Sequence, residues 1–68
     1  MQLSTRNLLK GRIKTIKSDT VSSEVVMDIG GPEICALITT GSVNRMGLKE
    51  GDEVVAMVKA TSVMIMKE

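Results

Sequence analysis

No aromatic residue and no histidine occurs in this chain of 68 residues, which also has a single cysteine and a single proline. Each absence excludes a class of function. Barrel-type binders of single-stranded nucleic acid stack bases on aromatic side chains, and none is available. His is the commonest general base, and without it no Ser or Cys has such a neighbour to activate it as a nucleophile, so the composition points away from an enzyme. A disulfide needs two cysteines and a structural metal site usually draws on Cys or His, so neither staple is at hand. Cys35 lies in an apolar run and reads as a small core residue. No apolar stretch is long enough to span a membrane and the first residues lack the apolar core of a secretory signal, so the expected location is the cytoplasm.

The core must instead be built from Val, Ile, Leu, Ala and the six Met residues. A chain this short buries too little of its own surface to be comfortably stable alone, and oligomerisation is the support left to it. The net charge is only +1, but residues 1 to 18 carry Arg6, Lys10, Arg12, Lys14 and Lys17 with no acid, and the rest is net negative. A basic stretch before an acidic body suggests an anion-facing edge, the plainer alternative being a solvated strand face.

Short β-branched runs punctuated by Gly, Pro, Asp and Ser predict an all-β domain of about five strands. From Leu8 to Ile16, Lys10, Arg12 and Lys14 fall on one face and Leu9, Gly11 and Ile13 on the other. Lys17 to Thr20 reads as a turn. Next, Val21, Ser23, Val25, Met27 and Ile29 alternate with Ser22, Glu24, Val26 and Asp28 until Gly30-Gly31-Pro32 breaks the run. Ile34 to Ile38 and Val54 to Val58 are apolar on both faces, so both sides need cover, and a second copy of the chain is the simplest cover. The alternative is a closed barrel with one core face and one mixed face. Thr39 to Leu48 predicts one short helical turn, capped by Thr or Ser and ended by Gly47 in the left-handed conformation. Leu48 to Asp52 reads as a turn, and Val63-Met64-Ile65-Met66 as an apolar closing strand that should not be left exposed.

Glu24, Asp28, Glu33, Asp52 and Glu53 fall on alternating strand positions or turns and read as solvating groups, without the spacing of a calcium loop. Anion binding fits the inventory better, since it needs cationic groups, hydroxyl donors and free backbone N–H groups. Three segments supply them: Ser4-Thr5-Arg6-Asn7, Thr40-Gly41-Ser42, and Lys59-Ala60-Thr61-Ser62.

Ser-Thr-Arg-Asn-Leu-Leu-Lys-Gly-Arg-Ile at positions 4 to 13 resembles the Ser-x-Arg-Asn-x-(Leu/Phe)-x-Gly-x-(Val/Ile) opening of the molbindins, the Mop or molybdenum-pterin-binding proteins. The likeness continues through Ser23-Glu24-Val25, Ile38-Thr39, Ser42-Val43, Gly47 to Gly51 and Val58 to Ile65, which is essentially the whole chain. The resemblance implies a single molybdate-binding domain over residues 1–68. It implies a five-stranded small barrel of the oligonucleotide-binding (OB) kind with one short helical turn, its strands contributed to or exchanged with neighbouring subunits of a homohexamer, a trimer of dimers. The implied function is intracellular binding, storage or homeostasis of molybdate or tungstate, held non-covalently between subunits, with no organic cofactor and no metal–ligand bond. By motif, Ser4 and Arg6 match the N-terminal ligands, Lys59 the lysine of the closing motif, and Ser42 a serine given by the neighbouring subunit. Thr5 stands where the family often has Ala, so its backbone N–H is the expected donor. Ala60 stands where some members have Ser, leaving its N–H and Thr61 to compensate.

Two other functional classes compete. One is a small DNA-binding β dimer using the stripe Lys10, Arg12 and Lys14, and the other an assembly module without a ligand.

Overall fold

A computed structural model describes residues 7–68. Four strands and one short helix follow in order: β1 (Asn7–Ser18), β2 (Ser22–Asp28), β3 (Glu33–Thr39), α1 (Thr40–Met46) and β4 (Glu53–Val58), with a 3-10 turn at Ala60–Ser62. The strands form one antiparallel sheet in the order β3-β2-β1-β4. β1 is the long strand, and it uses its two halves differently. Its first half pairs with β4, from Asn7 opposite Val58 to Arg12 opposite Glu53. Its second half pairs with β2, from Arg12 opposite Asp28 to Ser18 opposite Ser23. The register shifts between Ile13 and Thr15, the mark of a bulge, which bends and twists a strand.

Gly11 sits at that change of partner. A Cβ there would lie 2.5 Å from the Asp28 backbone oxygen and 2.9 Å from Ile29 Cγ2. The close approach lets β1 leave β2 and curl onto β4, giving an open half-barrel.

Inside the curve lie Ile13, Val25, Met27 and Val43, with Ile16, Ile29, Ile38, Leu48, Val54 and Ala56 packed against them. The period-two reading of β2 places these correctly, since Ser23, Val25 and Met27 are the buried face. Val21 is the exception at 71% exposed, because it lies in the turn before the strand rather than on it. Strand β1 keeps its predicted faces and extends to Ser18, so the turn starts later than expected, with Asp19 Oδ1 accepting from the backbone N–H groups of Val21 and Ser22. Asp28 does the same work at the other end of β2, accepting from Gly30 and Gly31. The helix is capped as expected: the Thr39 side chain accepts from the Ser42 N–H, and Gly47 closes it at φ 64.

Three expectations need correction. Cys35 is exposed, not core. In β3 the inward positions are Ile34, Ala36 and Ile38, so Cys35 shares the outer face with Leu37, itself 76% exposed. Val63–Met66 form no strand, and Met64, Ile65 and Met66 are 94%, 95% and 84% exposed. A strand exists only as one side of a ladder, and among the described residues no edge of the same chain pairs with this segment. The described residues therefore show four strands, where about five were expected.

Apolar surface is left over. Leu8, Leu37, Val55 and Met57 on the outer face are exposed together with the closing segment.

Gly11→Ala should destabilise the chain by about 1–3 kcal/mol, the usual cost of overpacking, because a backbone oxygen cannot swing aside as a side chain could. Denaturant unfolding checks this, and an unchanged midpoint contradicts the account of the bend. A second expectation concerns acid. Backbone N–H donors hold the Asp19 and Asp28 carboxyls below the ordinary value of 3.8: those of Ser22 and Val21 for Asp19, and those of Gly31 and Gly30, with a smaller contribution from the Lys14 charge, for Asp28. A carboxyl lowered in the folded state contributes stability that is complete above the unfolded value and lost as pH falls through the folded one. Thermal melts should therefore be flat near neutrality and fall below that ordinary value, less steeply in the double variant Asp19→Asn, Asp28→Asn.

Candidate functional site

The two groups of candidate donors in the described residues are built at opposite ends of β1. At its start, Asn7 pairs with Val58, and the Asn7 carboxamide donates to the Val58 carbonyl at 3.2 Å. That carboxamide, counted from sequence among the anion donors, helps instead to fasten β4 to β1. Lys59 follows Val58 directly and turns the chain into the 3-10 element, where the Ser62 N–H donates to the Lys59 carbonyl at 2.9 Å. Lys59, Ala60 and Thr61 are thus held together, all exposed, at the sheet end where the described part of β1 begins. Ala60 has only its backbone to offer. Ser4, Thr5 and Arg6 lie outside the described residues.

At the far end, Ser22 pairs with Thr39, which brings α1 beside the end of β1. A chain of hydroxyls ties this corner: Ser18 Oγ lies 2.7 Å from Ser23 Oγ, which lies 2.8 Å from Thr40 Oγ1, and Thr40 Oγ1 donates to the Asp19 carbonyl at 2.7 Å. Ser23 is completely buried, and these partners satisfy it. Thr40, read from sequence as an anion donor, is a structural hydroxyl. Ser42 is different. It is half-buried, and its hydroxyl accepts from Thr39 Oγ1 at 2.8 Å and from Arg45 Nη2 at 3.3 Å. Arg45 did not stand out in the sequence; its only signal was the three-residue spacing Thr39, Ser42, Arg45, which matters once the helix phase is known.

Eleven residue steps separate Asn7 from Ser18, and at about 3.3 Å per step β1 is far longer than a small tetrahedral anion is wide, even bent. Ser42 and Lys59 therefore belong to different ends of one chain.

The basic stripe is not a free cationic face. Arg12 Nη2 donates to Glu53 Oε1 at 3.1 Å, and Lys14 Nζ pairs with Glu33 Oε2, which raises the Lys14 pKa above its ordinary value. These carboxylates, expected to be merely solvating, neutralise two of the three cations that DNA binding would use. A concavity of about 750 Å³ opens beside this stripe and includes Asp28 and Glu53 in its lining. Lys10 and Arg12 line it too, so its two carboxylates offset its two cations and leave no net positive charge for a dianion. Among the described residues no helix is long and apolar enough to cross a membrane.

The TOBE domain model matches residues 3–65. The chain belongs to the TOBE-domain family. The resemblance to molbindins drawn from the opening and closing motifs is borne out by this domain's relatives. Molybdenum-pterin-binding protein 2 of Clostridium pasteurianum is 46% identical over 67 residues, 97% of this chain and 98% of the relative. A molybdate-binding protein from Sporomusa ovata has the same fold, with a TM-score of 0.94 and 43% identity, the match covering 98% of this chain and all of that one. The cytoplasmic molybdate-binding protein ModG, in a structure with molybdate bound, matches at a TM-score of 0.82 and 39% identity. That match covers 88% of this TOBE domain and 43% of the ModG chain.

Proposed function

We propose that residues 1–68 act as one molybdate-binding domain that holds molybdate or tungstate without chemistry, in the cytoplasm, at boundaries between copies of itself. The observation that carries this reading is the match of almost the whole chain, at 43% identity, to the full length of a solved molybdate-binding protein. The donors named by motif are Ser4, Thr5, Arg6, Lys59, Ala60 and Thr61 from one chain and Ser42 from its neighbour. The placement of Lys59 and Ser42 at opposite ends of β1 supports a shared site, because one copy cannot bring both to a single anion.

Molybdate is a tetrahedral dianion at neutral pH whose oxygens only accept hydrogen bonds, so a ring made wholly of donors matches it. The Arg6 guanidinium is planar and bridges two oxygens, while Lys59 is a compact charge for another. Hydrogen bonds to charged groups contribute about 1.5–3 kcal/mol each, so two cations and three or four neutral donors reach micromolar binding, about 8 kcal/mol. Hydrogen phosphate brings a proton that such a ring cannot accept. Sulfate carries no proton but is smaller, so its rejection rests on the size of the cavity.

The exposed apolar side chains of the outer face and closing segment support oligomerisation. In this reading, Val63–Met66 becomes the fifth strand of an OB-type barrel by pairing with a neighbour, and the assembly is a hexamer built as a trimer of dimers. Storage or homeostasis of the oxyanion is the role that follows from reversible binding without catalysis.

Native mass spectrometry with and without molybdate, paired with calorimetry, tests the reading. We expect an oligomer that gains a fixed number of anions, tungstate competing and hydrogen phosphate not, and a more than tenfold weaker affinity in Arg6→Ala with the oligomer intact. A monomer that takes up no molybdate contradicts the reading, and unchanged affinity in Arg6→Ala removes that residue from the site.

A further inference from the structure

We infer that Arg45 is a positioning residue for oxyanion binding: together with Thr39 it occupies both acceptor positions of the Ser42 hydroxyl and so aims the Ser42 proton at the anion. The inference rests on the reading of Ser42 as a ligand and adds to it a residue outside the motif. A serine hydroxyl has two lone pairs and one hydrogen. In this chain Thr39 Oγ1 donates to one lone pair at 2.8 Å and Arg45 Nη2 to the other at 3.3 Å. Thr39 is itself held in that role, because its oxygen accepts the Ser42 backbone N–H at 3.1 Å. The Ser42 hydrogen is then left to an outside partner that accepts and does not donate, which describes each oxygen of a tetrahedral dianion.

Charge favours the same arrangement. Arg12 and Lys14 are engaged by Glu53 and Glu33, whereas Arg45 spends its donor on a neutral hydroxyl. A hydroxyl that accepts from a guanidinium is a stronger donor through its own hydrogen, since successive hydrogen bonds polarise one another. The helix itself, seven residues long, is too short to supply the field, so the cation in its last turn is the source.

A double-mutant cycle with molybdate as the probe, read by calorimetry on the assembled protein, separates this from the alternatives. Arg45→Met removes the donor and the charge while keeping a long side chain on an exposed helix face. It should weaken molybdate binding about three- to tenfold, less than the loss of a charge-assisted hydrogen bond made to the anion itself, and Arg45→Lys should restore most of the affinity. In a Ser42→Ala background Arg45→Met should change affinity less than twofold, with melting temperature and oligomer mass unaltered. Equal losses in both backgrounds would show a direct effect of charge and overturn the positioning role, as would no loss in either. If Ser42→Ala alone leaves molybdate affinity unchanged, Ser42 is not a ligand and the reading beneath the inference fails. Absence of binding by the unaltered protein would instead overturn the proposed function itself.

Discussion

The structure depends on β1 serving two partners in succession. Its second half is zipped to β2 and its first half to β4, and the hand-over at Gly11 is possible only because the chain there passes within contact distance of the Asp28 carbonyl. That bend curls four strands into a half-barrel around Ile13, Val25, Met27 and Val43. It also separates the two groups of donors, since what begins beside Asn7 and what gathers beside Ser18 are a strand length apart.

An antiparallel half-barrel of this size is incomplete in two senses. Its outer apolar face and closing segment are left to water, which opposes the hydrophobic term that a small domain needs. Its candidate anion donors are divided, with Lys59, Ala60 and Thr61 at one end and Ser42 at the other. A second copy would resolve both, covering Leu37, Met57 and Val63–Met66 while bringing Ser42 to a neighbour's Lys59. Assembly and ligand capture are then coupled: an anion that binds only where two chains meet stabilises the assembled state over the separated one. The pairing of Arg12 and Lys14 with carboxylates neutralises two of the three cations of the stripe on β1.

Much of the fold was legible in the residues. Strand β2 announces its buried face because Ser22, Glu24 and Asp28 put polar groups on the side opposite Val25 and Met27, and the helix announces its ends because Thr39 can cap and Gly47 can turn left-handed. Cys35 was misplaced for a reason that is equally physical: in a run apolar at every position, alternation carries no information about which side faces the core. The closing segment Val63–Met66 declared its need for cover through hydropathy, but a strand's existence depends on a partner edge that composition does not describe. Thr40 and Asn7 looked like free donors until the packing showed what else they hold. Arg45 was invisible for the opposite reason, since its meaning arises only from sharing a helix face with Thr39 and Ser42.

The central claim is that the anion site is shared between chains, and subunit mixing tests it most directly. Chains carrying Ser42→Ala and chains carrying Lys59→Ala should each bind molybdate weakly on their own. Once exchanged into mixed oligomers, about one quarter of the sites should regain full affinity, because random assembly leaves that fraction with both residues intact. Mixed oligomers confirmed by mass but with no recovered sites would contradict a site shared in this way.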